Sequence, residues 1–137
     1  MLKRLAALLL IIVLAVAVGC QATEPAGEAI SYREITAEEV LAWMEEGREF
    51  RLIDVREEHE YNEAHIPGAE LLPLGQLEES YVMLDPEDVI VLVCRSARRS
   101  GEATRFLYEK GYTEVYNLVG GMLEWPGPVN RPRAVYG

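Results

Sequence analysis

Val89-Ile-Val-Leu-Val-Cys-Arg-Ser-Ala-Arg-Arg-Ser-Gly101 is the stretch on which the reading of this chain turns. Its first part, Val89–Val93, is an unbroken run of β-branched and leucine residues. That is the pattern of a strand buried on both faces, as strands are in a parallel sheet. The strand delivers Cys94 to its C-terminal end. A short basic loop follows. Behind it Ala103, Phe106 and Leu107 fall at helical spacing within Gly101–Lys110, and Gly111 ends the segment. The helix is expected to start near Ser100. In open parallel sheets, sites lie outside the carboxyl ends of the strands, and Cys94 occupies such a position.

Strand-like and helix-like pieces alternate on either side of this stretch. Tyr32–Ile35 reads as a short strand. Thr36 then opens a capping box with Glu39 three residues on, and Gly47 closes that helix. Phe50–Val55 is rich in β-formers, and Glu57–Ala64 is polar and helix-like. Pro67-Gly68 makes a turn before Ala69–Leu72. Leu77–Leu84 reads as a helix halted by Asp85-Pro86, Glu114–Leu118 as a strand, and Gly120–Trp125 as a short helix stopped by Pro126. Strands alternating with helices predict an α/β fold, a parallel sheet covered by helices on both faces.

Three effects act on a thiol placed at position 94. Loop amides can curl around an anion as a nest. The start of the next helix adds positive potential. Arg95, Arg98 and Arg99 supply full charges in a chain whose net charge is −10. Each favours thiolate over thiol, and the thiolate is the nucleophile. The competing reading is an inert cysteine buried at a strand end beside solvated arginines.

The chain has 137 residues, a length suited to one domain, and half of them are hydrophobic. Part of that fraction lies in Leu5–Val18, an unbroken apolar run preceded by Lys3 and Arg4. The run is shorter than the roughly 20 residues a membrane span needs. A basic start, a short apolar stretch and small residues before Cys20 describe a secretory signal over residues 1–19. Ala17-Val18-Gly19-Cys20 resembles a bacterial lipoprotein signal, in which the cysteine is acylated and becomes the mature N-terminus. Residues 20–30, with Pro25 and Gly27, read as a lipid-anchored tether. Residues 31–137 form the expected domain. The alternatives are an uncleaved N-terminal helix and ordinary cleavage without a lipid. Loss of residues 1–19 removes Lys3 and Arg4 and no acid, taking the formal charge from −10 to −12. So acidic a body argues against nucleic acid as a partner. With Cys20 acylated, Cys94 is the one cysteine left with a free thiol. The expected location is outside the cytoplasm, attached to a membrane and facing the periplasm or cell exterior.

Cys94-Arg-Ser-Ala-Arg-Arg-Ser100 resembles the active-site loop of rhodanese-like sulfurtransferases. Two further stretches carry the same resemblance. Leu52-Ile-Asp-Val-Arg56, Glu60-Tyr61 and His65-Ile-Pro-Gly-Ala69 are similar to the family's first signature. Asn117-Leu-Val-Gly-Gly-Met-Leu-Glu-Trp125 is similar to its closing segment. The resemblance implies a five-stranded parallel sheet flanked by helices and a cysteine that takes sulfane sulfur from thiosulfate or a similar donor. Cys94 would hold it as a persulfide and pass it to cyanide or a thiol, with neither metal nor organic cofactor. Arg95, Ser96, Ala97, Arg98, Arg99 and Ser100 would bind the anionic donor. Asp54 and Arg56 would support the loop as a structural ion pair rather than take part in the chemistry. The family often has Gly at the positions of Ala64 and Ala97, and Ala97 is expected to have negative φ, because positive φ strains a residue with a Cβ.

His59 and His65 are six apart, which does not place them on one helical face, and His65 is expected to serve as a hydrogen-bonding turn residue. Glu57–Glu60 is expected to be a solvated helix start, Trp125 to pack, and Tyr108 and Tyr112 to sit at a helix edge and a turn. A tyrosine-phosphatase loop would need arginine six positions after the cysteine, to grip phosphate bidentately, and position 100 is Ser. The rival from another class is a non-enzymatic module that carries sulfane sulfur, or docks, at a membrane.

Overall fold

The computed structural model describes residues 32–132. The signal segment 1–19, Cys20 and the tether 20–30 lie outside the described residues. In chain order the elements are β1 (Arg33–Ile35), α1 (Ala37–Glu45), β2 (Arg51–Asp54), α2 (Glu58–Glu63), β3 (Glu70–Leu71), α3 (Leu74–Ser80), a 3₁₀ turn (Tyr81–Met83), β4 (Ile90–Val93), α4 (Arg98–Glu109), β5 (Val115–Leu118) and α5 (Gly121–Glu124). The strands form one sheet in the order β1-β5-β4-β2-β3, and every pairing is parallel. The expected architecture is the observed one.

Central β4 explains why the sheet holds. Ile90, Val91, Leu92 and Val93 are all fully buried. Alternation sends Ile90 and Leu92 to one face, where they meet Leu77 of α3 and Ala103 and Leu107 of α4. It sends Val91 and Val93 to the other, with Val40 of α1, Ile66 and Trp125. Each such side chain contributes roughly 1.5–3 kcal/mol by leaving water, so the strand that presents Cys94 is anchored on both sides.

Local signals set the helix ends. Thr36 Oγ1 accepts from the Glu39 amide at 3.2 Å, and the Glu39 carboxylate accepts from the Thr36 amide at 2.9 Å, the reciprocal box anticipated above. The third helix departs from expectation. It begins at Leu74 rather than Leu77 and gives way to the 3₁₀ turn at Tyr81. The Leu74 amide donates to the Val55 carbonyl at 3.0 Å, so the end of β2 fixes where the helix enters.

Topology places a crevice at a defined point. From β2 the chain runs outward to β3 through α2, and from β4 it runs the opposite way to β5 through α4. Tyr61 of α2 packs on one face of the sheet and Ala103 of α4 on the other. The carboxyl ends of β2 and β4 therefore flank a switch point, where α/β folds bind ligands. Asp54 ends β2 and Cys94 follows β4.

Candidate active site

Cys94 is 1% exposed and continues the β4 face that carries Leu92, so Ile53, Val55 and Ala103 lie in its cluster. The chain leaves the sheet there and turns into α4 through Ala97. The amides of residues 95–100 take no hydrogen-bond acceptor among the described residues. The carbonyls of the loop, by contrast, are held. The Met122 amide donates to Cys94 O at 2.8 Å and the Leu123 amide to Arg95 O at 3.0 Å. Gly121, at φ 56°, permits this approach, since a Cβ there would stand 2.4 Å from Cys94 O. Clamped carbonyls and free amides leave the loop with donors to offer an anion.

Ala97 corrects the sequence reading. Its φ is +69°, the sole positive value at a non-glycine position among the described residues. Two hydrogen bonds hold its carbonyl in place. The Gly101 amide donates to it at 2.9 Å as the first helical bond, and Asn117 Nδ2 donates at 3.2 Å. The left-handed turn also advances the start of α4 to Arg98, ahead of the expected Ser100.

Ser100 is fully buried, with its Oγ 3.3 Å from Cys94 Sγ and 2.6 Å from Asn117 Oδ1. The three arginines divide. Arg95 and Arg98 are exposed and have no ion-pair partner among the described residues, as Ser96 is also exposed at the loop tip. Arg99 instead grips Glu60 bidentately, at 2.7 and 2.8 Å. Glu57, Glu58 and His59 are exposed at the helix start as expected, and Glu60 alone departs from that expectation. The Arg99 hydrogen bonds hold the Glu60 carboxyl at about 2, with the Glu57 amide adding to the effect and burial opposing it. Arg99 is raised in turn by its hydrogen bonds to Glu60, with burial opposing the effect. It ties the first turn of α4 to α2 rather than offering a free cation.

Asp54 and Arg56 form the expected buried pair. Arg56 Nη2 donates to Asp54 Oδ2 at 2.7 Å, and its Nε and backbone amide both donate to Oδ1 at 3.0 Å. Nη2 also donates to Ala64 O at 2.7 Å, so the pair fastens the C-terminal end of α2 to the end of β2. Asp54 is fully buried and does not touch the sulfur by any hydrogen bond recorded among the described residues. His65 stacks on Tyr61 at 3.8 Å and its Nδ1 lies 2.9 Å from Tyr61 O, a structural role as expected. Trp125 packs, donating from Nε1 to Pro128 O at 3.0 Å, and also walls a cleft of about 430 Å³ with Arg56, Arg95, Met122 and Leu123. Tyr108 is exposed on α4. Tyr112 is more than a turn residue, since it is buried and its one hydroxyl proton is shared between Tyr81 O at 2.8 Å and Leu84 O at 2.9 Å.

Sequence reasoning missed Asn117 as a partner of the loop and Gly121 as its clamp. The signal for Asn117 was a polar residue within an otherwise apolar strand.

A buried cysteine after the central strand of a parallel sheet, heading a loop of unpaired amides, defines a class of α/β domain built around a cysteine loop. The Rhodanese-like domain family matches residues 36–127, and the chain belongs to it. The chain is 38% identical over 99 residues to the putative sulfur carrier protein YrkF of Bacillus subtilis, an alignment covering 72% of the chain and 54% of YrkF. It therefore spans little more than half of that relative's length. It is 37% identical over 95 residues to the putative sulfurtransferase YtwF of the same organism, covering 69% of the chain and 91% of YtwF. Among solved structures, the human single-domain sulfurtransferase TSTD1 aligns with a TM-score of 0.62 and 28% identity, over 69% of the chain and 96% of TSTD1.

Proposed function

We propose that this protein is a sulfurtransferase that moves sulfane sulfur through a persulfide on Cys94. The observation that carries the reading is the set of unpaired amides at residues 95–100 beside a cysteine whose carbonyl is clamped from behind. The Cys94 thiolate attacks the outer sulfur of thiosulfate or a similar donor. The donor's S–S bond breaks and sulfite leaves with the bonding pair. The new terminal sulfur carries the negative charge and rests on the loop amides. Cyanide or a thiol then takes that sulfur, and the thiolate returns. Arg95 and Arg98, exposed and without an ion-pair partner among the described residues, attract the anionic donor, while Ser96 and Ala97 shape the loop and Arg99 positions its helix. The cleft beside Arg95 is the approach for the acceptor.

The test is Cys94→Ser, which is nearly isosteric. Thiosulfate should add one sulfur atom to the wild-type Cys94 peptide, removable by cyanide, and none to the variant. Absence of sulfur on the wild-type peptide would sink the reading. A second reading is favoured by the near-complete burial of Cys94 and by the likeness to a sulfur carrier: the protein loads sulfur and hands it to a partner without turnover. Multiple turnovers with thiosulfate and cyanide distinguish the enzyme from the carrier.

The same proposal extends to location. Residues 1–19 act as a signal, Cys20 carries lipid, residues 20–30 tether the domain of residues 31–137, and the domain faces the periplasm or cell exterior. Two acyl chains suffice for stable attachment.

A further inference from the structure

Asn117 sits in the middle of β5, paired with Leu92 of β4 on one side and Glu34 of β1 on the other. Its neighbour on the same face, Val115, joins the apolar cluster under α4. A carboxamide in that place is 2% exposed, and burying one is costly unless both ends are paired. Both ends are paired, and both partners belong to the cysteine loop. Nδ2 donates to Ala97 O at 3.2 Å, and Oδ1 accepts from Ser100 Oγ at 2.6 Å.

The orientation is forced. A carbonyl can accept and never donate, so the amide nitrogen must face Ala97 and the oxygen must face Ser100. Ser100 has a single proton, yet two acceptors lie within reach, Asn117 Oδ1 at 2.6 Å and Cys94 Sγ at 3.3 Å. At these distances the hydroxyl is held between the carboxamide oxygen and the sulfur. One asparagine thus holds the left-handed turn at Ala97 and sets the hydroxyl that faces the reacting atom.

We propose that Asn117 is a positioning residue for chemistry at Cys94, acting through the left-handed Ala97 turn and the Ser100 hydroxyl. Without Asn117 the Ala97 carbonyl keeps only the Gly101 amide, and an alanine then leaves the left-handed region more readily. A glycine stays there without steric cost. The loss of Asn117 should therefore be more severe with Ala97 in place than in the Ala97→Gly background, by roughly five- to thirtyfold, the population ratio that a left-handed alanine implies.

The experiment is a cycle of Asn117→Ala, Ala97→Gly and the double variant in the full chain. Two readouts are taken: alkylation of the Cys94 peptide by iodoacetamide, followed by mass spectrometry, and the rate of sulfur loading from thiosulfate. The first does not depend on the sulfur-transfer reading, whereas the second does. If wild type is alkylated but never loads sulfur, the proposed activity fails and the alkylation cycle still decides the role of Asn117. The expected result is a loss in alkylation and loading on Asn117→Ala that is at least fivefold smaller in the Ala97→Gly background. Equal losses in both backgrounds would overturn the proposal. Asn117→Leu, which keeps the volume, guards against unfolding. Should neither Asn117 variant fold with Ala97 in place, folding in the Ala97→Gly background supports the coupling, and failure in both backgrounds overturns it by assigning Asn117 to the sheet alone.

Discussion

Replacing Gly121 with alanine tests the clamp behind the cysteine. At φ 56° an alanine is strained by about 1–2 kcal/mol whatever surrounds it. The added Cβ would also stand 2.4 Å from Cys94 O and 2.7 Å from Arg95 O, both backbone atoms that cannot swing aside. Relief requires α5 to lift away, which gives up the amide bonds of Met122 at 2.8 Å and Leu123 at 3.0 Å. Each contributes roughly 0.5–1.5 kcal/mol net, so the total cost is about 2–5 kcal/mol. Gly47→Ala is the control. Gly47 has φ 66° with nothing within 4 Å of the added Cβ, so its cost is the conformational part, about 1–2 kcal/mol. Chemical unfolding of the two variants gives the difference, expected at about 1–3 kcal/mol. Thermal unfolding should separate them by at least about 4 °C, and the Gly121 variant should load less sulfur on Cys94. Equal destabilisation by the two substitutions would refute the clamp.

The pH dependence follows from Glu60, whose carboxyl is held at about 2 in the folded protein against an ordinary 4.5. A depressed carboxyl stabilises fully above its ordinary value, and that stabilisation is lost as the pH falls from about 4.5 to about 2. Urea midpoints across this window should fall more steeply for wild type than for Glu60→Gln, and parallel curves would contradict the pairing. Asp54→Ala leaves Arg56 charged and buried without its partner, which costs about 3–5 kcal/mol in unfolding experiments; a loss below about 1 kcal/mol would mean the pair is dispensable. Cys20→Ala should release the protein from membranes on fractionation, and unchanged retention would favour an uncleaved anchor.

Much of this fold was legible because its signals are local. The continuous apolar run at Val89–Val93 has the length and β-branched content of a strand covered on both sides, and the Thr36–Glu39 box fixed a helix start within one turn. The cysteine was legible for the same reason, since strand, thiol, basic loop and helix are adjacent in sequence. What escaped reading depends on partners far along the chain. Ala97 adopts a conformation unfavourable to its own side chain, and its carbonyl is held both by the Gly101 amide and by Asn117, twenty residues later. Arg99 reads as a free cation until the fold brings the first turn of α4 within reach of Glu60, thirty-nine residues earlier. Leu74 starts a helix ahead of its apolar pattern because the end of β2 captures its amide. Local propensity yields to tertiary hydrogen bonding at each of these points.

The anion seat proposed for this loop is made of peptide groups, while Arg95, Ser96 and Arg98 lie exposed at its rim. Main-chain groups are common to every amino acid except proline in its missing N–H. Mutation can therefore rewrite the rim of this loop, and with it the choice of donor, without erasing the feature that would stabilise charge on sulfur.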